Sequence, residues 1–339
     1  MICTIHKPRL IIFRWGCACL LAVISTFSSL GEEQPKGGTR ESSWLMEGTD
    51  LPRVGTHPIY YTTEQIERAR LRCRRENWAR GYFDMLLNLV EQCPSLQWSE
   101  QQLRQLFEKP LAGFDLPRCP ACKTLYQWGP EQWIWKTDDP WKLNCTQCGV
   151  EITEDSYPTN GIFEVVTPNG QNINYPFYED DEGVRYFFLC KIKQNLYRTV
   201  RDDLQLLADA YVLTGNSRYA DRIALLLLLM SETYPFLPVH GPGRGYGEKS
   251  TGYTEQFYDP NPPHPYMGGR WYINAYEELF FSYHQAIAYD LIYNSGALER
   301  LQSRQNLSSL KEQIERDLLY PPATFTLELS LVLDNYDHQ

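Results

Sequence analysis

Positive charge is scarce in this 339-residue chain. Lysine and arginine number 32 against 42 aspartates and glutamates, a formal net charge of −10 at pH 7. That field opposes nonspecific attraction to nucleic acid or to an anionic membrane, and a polyanionic ligand would need a local basic patch. A second absence is a long apolar run beyond the N-terminus. Leu225–Met230 is intensely apolar, but charged residues bracket it too closely for a membrane span. No lipoprotein box surrounds Cys17 or Cys19. The glycines at 243–247 (GRGYG) are not a phosphate loop, because no Gly-Lys-Ser/Thr closes them and no strand clearly precedes them.

What is present begins with a leader. Lys7, Arg9 and Arg14 form a positive region, Trp15 to Leu30 is apolar, and polar Gly31-Glu32-Glu33 follows. This pattern predicts a secretory signal over residues 1–31, and hence a secreted or periplasmic protein with no membrane contact beyond that signal. An uncleaved N-terminal anchor is the alternative. Residues 32–55 are rich in Gly, Ser, Glu and Pro and read as a linker. Aromatic residues reach 14%, with 23 Tyr and 9 Trp. Rings can fill a helical core, and they can also pack on the C–H faces of sugars.

Helical patterning opens at Thr62, an N-cap with Gln65 as its capping-box partner. Ile66, Ala69 and Cys73 follow at helical spacing. A second stretch carries Trp78, Tyr82, Leu86, Leu89 and Val90 and stops near Cys93-Pro94. Residues 56–118 are therefore assigned to N-terminal helices. Over 119–198 the periodicity disappears, and paired cysteines, Trp, Pro and Gly indicate an insert of turns and short strands. Helices are expected again from about 199. Gly215 is a natural helix terminator, Ser217 a cap for the next helix, and Leu225–Leu229 is apolar on every side, so that helix must be buried on both flanks. Further helices are predicted over about 273–293 and 301–319, the latter ended by Pro321-Pro322. The chain stops at Gln339, soon after a fresh segment begins, which reads as a truncated gene model. Residues 199–339 are then an interrupted array of hairpins, expected to be inactive or poorly folded alone.

The sharpest local signal is Cys119-Pro-Ala-Cys122 with Cys145-Thr-Gln-Cys148. Two such knuckles at ribbon-like spacing predict a structural zinc site, since each lets two thiolates converge on one ion. Four thiolates leave no open position, which makes the ion a staple and not a catalyst. Two disulfides, which export permits, and a redox pair are the alternatives. Cys73, Cys93 and Cys190 are left over as free thiols.

The loop 240–271 places Arg244, Lys249 and Arg270 among Tyr246, Tyr253 and Trp271. Arginine can grip a carboxylate bidentately and rings can stack on pyranoses, so these six are candidate substrate-binding residues; a solvated connection is the bland alternative. His284, one turn beyond Phe280, reads as a core-edge histidine, and His57 as part of an entry turn.

Several segments together resemble the heparinase II/III and alginate-lyase-like polysaccharide lyases. They are the opening HPIYYTTEQIERARLRCRRENWARGYFDMLL, the insert CPACK…DDPWKLNCTQCGVEITEDSYPTNG, the hairpin LQLLADAYVLTGNSRYADRIALLLLLMSETYP, and ELFFSYHQAIAYDLIYNSG. The resemblance spans about residues 57–339. It implies a mostly α fold: an incomplete (α/α) toroid of antiparallel helix hairpins with a small zinc-ribbon-like insert. It also implies β-elimination on a uronate-containing polysaccharide, with Asn335 as neutraliser of the carboxylate and His338 as base or its partner. A noncatalytic glycan-binding protein and a toroid glycoside hydrolase are the competing functions.

Overall fold

The computed structural model describes residues 57–114, 116, 118–125, 132–166, 170–237, 269–271 and 275–324. The expected leader and linker lie outside that set. Among the described residues the chain is mostly helical, with two small antiparallel sheets, and no helix is long and apolar enough to cross a membrane.

Residues 57–60 form an entry strap held by one carboxylate. Asp290 accepts from the backbone N–H of Ile59 at 2.8 Å and of Tyr60 at 2.9 Å, and its Oδ1 bonds the His57 ring. His57 also stacks on Tyr293, with centroids 3.9 Å apart. Helix α1 (Thr63–Arg75) then starts as its sequence dictates. Thr62 Oγ1 accepts from the Gln65 N–H at 3.2 Å and Gln65 Oε1 accepts from the Thr62 N–H at 2.8 Å. Helix α2 (Asn77–Glu91) turns back against it, followed by the short α3 (Pro94–Gln97) and by α4 (Glu100–Phe107), whose Ser99–Gln102 box repeats the same cap.

The insert holds two three-stranded sheets. Strands β1 (Trp133–Trp135), β2 (Leu143–Cys145) and β3 (Glu151–Ile152) pair in that order, as do β4 (Gly161–Val166), β5 (Asn172–Glu179) and β6 (Arg185–Tyr186). Gly161 faces Phe177 across the second sheet so closely that an added Cβ would lie 2.2 Å from the ring.

Helix α5 (Phe188–Thr214) starts eleven residues earlier than the sequence pattern predicts. The reason is chemical. Its first turns bury Lys191, Lys193, Gln194 and Asn195 among the apolar Ile192, Leu196 and Tyr197, and these polar residues break up the apolar pattern. Their polar groups serve the chain that precedes the insert: Lys193 Nζ donates to the Leu106 carbonyl and Gln194 to that of Phe114 at 3.0 Å. Burial pushes the Lys193 ammonium down to about 7.

Gly215, at φ 71°, ends α5 in the left-handed region, where a Cβ would be strained. Asn216, not Ser217, caps α6 (Ser217–Thr233): its extended backbone precedes the helix and its Oδ1 accepts from the Arg218 N–H at 3.0 Å. Leu225–Leu229 of α6 are at most 4% exposed, which meets the expectation of burial on both flanks. Helix α5 packs on α2, α6 and α7 (Ala275–Ile292), while α6 also contacts α4, α8 (Ala297–Gln305) and α9 (Leu310–Ile314). The helix predicted over 301–319 is broken at Asn306, which takes φ 53°. Pro321 and Pro322 do not end the last helix as expected. A π-turn at Glu315–Leu319 shifts the bonding so that the Tyr320 N–H meets the Glu315 carbonyl, and helix continues through residue 324.

Candidate metal centre

Two knuckles of the same construction bring four sulfurs together. In the first, the Lys123 N–H donates to the Cys119 carbonyl at 3.0 Å and the Cys119 N–H to that of Thr124 at 2.9 Å. In the second, Gly149 donates to Cys145 at 2.9 Å and Cys145 to Val150 at 3.0 Å. Each turn is completed by a left-handed residue, Lys123 at φ 58° and Gly149 at φ 72°. The four Sγ atoms lie within 4.8 Å of one another, with Cys119–Cys148 at 3.8 Å and Cys122–Cys145 at 4.0 Å.

Those separations test the sequence alternatives. A disulfide needs sulfurs about 2.05 Å apart, and the four are free. A tetrahedral ion with metal–sulfur bonds of about 2.3 Å requires sulfurs roughly 3.8 Å apart. Cys119, Cys122, Cys145 and Cys148 fit that geometry and could hold one metal ion. The electrostatics agree: burial pushes the Cys119 thiol up to about 12, while the Thr124 hydroxyl beside Cys122, 3.2 Å away, brings that thiol down to about 6. Crowded thiols resist ionising together, and a cation at their centre removes that resistance.

An ionic dock fastens the first knuckle to the second sheet. Arg118 and Lys123 flank the Cys119–Cys122 turn. Both reach Asp180 Oδ2, at 3.0 and 2.9 Å, and both reach Glu182, at 2.8 and 3.1 Å. The Tyr186 hydroxyl donates to the same Asp180 oxygen at 2.9 Å, and Asp180 Oδ1 accepts from the Glu182 and Val184 N–H groups at 3.0 Å. Burial alone would raise the Asp180 carboxyl; Lys123, the Val184 N–H, Tyr186 and Arg118 together hold it well below the usual carboxylate range. Trp133, Leu143, Ile152, Tyr186 and Ile192 close the apolar floor beneath. The sequence reading missed this dock, although the Asp180-Asp181-Glu182-Gly183 turn beside an arginine-flanked knuckle was a usable signal.

Of the loop candidates, Arg244, Tyr246, Lys249 and Tyr253 lie outside the described residues, as do Asn335 and His338. Arg270 holds its guanidinium 5.1 Å from the centroid of the Tyr234 ring. Trp271 corrects an expectation. It is fully buried, stacked on Phe281 at 5.3 Å and edge-on to Tyr197 at 5.0 Å, so its face serves the core and is closed to a sugar. The residue that fixes this pair is Glu278 of α7, which sequence reasoning did not single out. Its Oε2 accepts from the Arg270 N–H at 2.9 Å and the Trp271 N–H at 3.1 Å, and its Oε1 from the Tyr234 hydroxyl. Burial raises its carboxyl despite these donors. His284 is the expected core-edge histidine, its Nδ1 2.6 Å from the Phe280 carbonyl and its proton affinity lowered by burial.

Where α6 ends, Thr233 and Phe236 join Arg104, Lys109, Asn172, Asn174 and other residues around a cleft of about 740 Å³. Lys109 makes no ion pair among the described residues, whereas Arg104 faces Glu100 at 3.1 Å. Protein-family models give no match to this sequence, and neither do curated proteins.

Proposed function

We propose that this chain is the helical part of an exported polysaccharide lyase of heparinase II/III type, acting by β-elimination on a uronate-containing polymer. In this reading the α5–α6 hairpin, with α7 and α8 packed against it, belongs to an (α/α) toroid, and a structural zinc ion sits among Cys119, Cys122, Cys145 and Cys148. The observation that carries it is the order of parts: capped N-terminal helices, a four-thiol ribbon, then hairpins whose central helix is buried on every side. The cleft beside Phe236 supports it, since it offers the Lys109 ammonium and the side-chain amides of Gln171, Asn172 and Asn174. Such groups suit carboxylates and hydroxyls.

The chemistry asks for a group to neutralise the uronate carboxylate, a base for the C5 proton and an acid for the departing O4 oxygen. Asn335 is the proposed neutraliser and His338 the base or its partner. Arg270, held by Glu278 through its backbone, is the described member of the proposed substrate-binding loop that is not buried. Zinc supplies folding energy alone, because four thiolates fill its coordination sphere.

The test is incubation of the protein, expressed from its complete gene, with a panel of uronate polymers. Unsaturated products absorbing in the ultraviolet are expected. Saturated products would assign a glycoside hydrolase instead, and tight binding without turnover a noncatalytic glycan-binding protein; either refutes the lyase.

A further inference from the structure

A second pocket lies at the far end of α5, and its lining residues include none of the thiol cluster. It has a volume of about 460 Å³ and is formed by α1, α2 and the end of α5, with Tyr61 of the entry strap at its side. Volumes of a few hundred Å³ are the ordinary size of small-molecule sites. Its lining separates into three chemistries.

The first is aromatic. Trp78 is 66% exposed and Tyr82 46%, a costly display for rings that a helical core could have absorbed. The Trp78 ring is also held. Its indole N–H donates to Glu76 Oε2 at 2.6 Å, and Glu76 Oε1 stands 3.7 Å from Arg72 Nε. Its polar edge is thus tied down while its surface stays open.

The second is an acceptor. Asp209 is only partly exposed, and burial pushes its carboxyl up to about 6, so it is a carboxylate at neutral pH. Gln205 donates to Oδ1 at 3.0 Å. No other hydrogen bond reaches this carboxylate among the described residues, leaving Oδ2 uncommitted.

The third is a cation. Arg68 lines the same pocket and forms no ion pair or hydrogen bond among the described residues. A carboxylate oxygen and a guanidinium therefore share one cavity without closing on each other.

We propose that this pocket is a glycan-binding subsite for a pyranoside that bears a carboxylate. The sugar's apolar face stacks on Trp78 or Tyr82, its hydroxyls donate to Asp209, and its carboxylate meets Arg68. An organic ammonium would match the rings and Asp209, but Arg68 and Arg72 oppose it. A neutral sugar would leave Arg68 unused. The site would hold polymer on the outer side of the α1–α2 hairpin, and it does not depend on where elimination takes place.

The experiment is calorimetric titration of the purified protein with tetrasaccharides of β-1,4-glucuronate, mannuronate and galacturonate, with cellotetraose as the neutral control. Binding of at least one acidic tetrasaccharide is expected, with cellotetraose bound at least about tenfold more weakly. Trp78→Ala and Arg68→Gln should each weaken the acidic ligand about tenfold. Both side chains are exposed, so thermal unfolding at the wild-type temperature verifies the fold. Absence of acidic-tetrasaccharide binding, binding indifferent to both substitutions, or equal binding of cellotetraose overturns the proposal. The lyase reading fails separately. Unsaturated product formed at the wild-type rate by Trp78→Ala, with acidic-ligand binding unchanged, removes the subsite alone; subsite binding without any elimination removes the lyase alone.

Discussion

Replacing Glu278 probes the anchor that brings the chain back from the 238–268 segment into α7. Its carboxylate is 1% exposed and accepts from three donors: two backbone N–H groups and the Tyr234 hydroxyl, with Tyr234 and Trp271 themselves buried. Glu278→Ala strands those donors. A buried donor left without a partner costs about 1–3 kcal/mol. Arg270 keeps partial access to water and can recover part of its share. Loss of one buried methylene adds roughly 0.8 kcal/mol of transfer free energy. The sum is about 3–8 kcal/mol, a large part of the stability of any domain.

Glu278→Gln separates charge from shape. Its single carbonyl oxygen can keep both backbone bonds, and its amide N–H₂ can donate to the Tyr234 oxygen, so a loss below about 2 kcal/mol is expected. The two variants also differ in pH response. Burial raises the Glu278 carboxyl in the folded state, so its contribution is fully present below the unfolded pKa, about 4.3, and is lost as pH rises through the folded value. Wild type should therefore exceed Glu278→Gln most at acid pH, and the gap should narrow or reverse on the way to neutrality. Urea unfolding at a series of pH values reads both effects. A Glu278→Ala loss under about 1 kcal/mol, or a gap that widens with pH, would refute the reasoning.

Metal removal should act locally. A strong chelator, or Cys145→Ser, should release one equivalent of metal per chain, measured by elemental analysis, and should expose the amides of β1–β3 to hydrogen exchange while α5 and α6 remain protected. Leu227→Ala, at a fully buried site in α6, should cost about 2–5 kcal/mol by the cavity it leaves, read from the urea midpoint. Gly161→Ala must displace the Phe177 ring and should cost about 1–3 kcal/mol on the same measurement.

Features legible in the sequence were those whose cause is local. The Thr62–Gln65 box, the Gly215 turn and the cysteine knuckles each depend on residues a few positions apart, and each stands where expected. The Leu225–Leu229 block was legible because five consecutive leucine-class residues leave no face for water. The start of α5 was not, because its buried positions include Lys193 and Gln194, whose partners lie 87 and 80 residues upstream. No periodicity reports a hydrogen bond of that reach. The prolines at 321 and 322 misled for the opposite reason: their local rule is strong, but the π-turn before them had already changed the bonding register. In the sequence Trp271 falls among the basic and aromatic residues of the 240–271 loop, while the residues that enclose it, Tyr197 and Phe281, come from α5 and α7. Asp290 follows the same pattern, a single acid on α7 tying down backbone about 230 residues upstream, while Glu278 on the same helix holds the Arg270 and Trp271 N–H groups and the Tyr234 hydroxyl.

The Asp180 dock carries the same logic to the metal centre, and it makes a prediction whose sign is fixed. If the ribbon were held in place by its ion alone, Asp180 would be dispensable. Its carboxylate is instead almost enclosed and shared by Arg118, Lys123 and Tyr186, so Asp180→Asn removes the charge that two cations were placed to meet. Breaking a buried pair from one side costs about 3–5 kcal/mol, and the exposed edge of Lys123 and Glu182 brings this case toward the lower figure. The folded pKa is depressed, so the stabilisation is present above the unfolded value of about 3.9 and disappears as pH falls through the folded one. Wild type should begin to lose this increment on acidification below about pH 4, and Asp180→Asn, lacking it at every pH, should meet the wild-type curve only as pH falls through the folded value. Because Arg118 and Lys123 adjoin Cys119 and Cys122, the variant should also speed metal release to a chelator at neutral pH, where the cysteine ligands themselves are unchanged. Release at the wild-type rate would mean that the knuckle holds its shape without the dock, and that the ionic contacts merely decorate it.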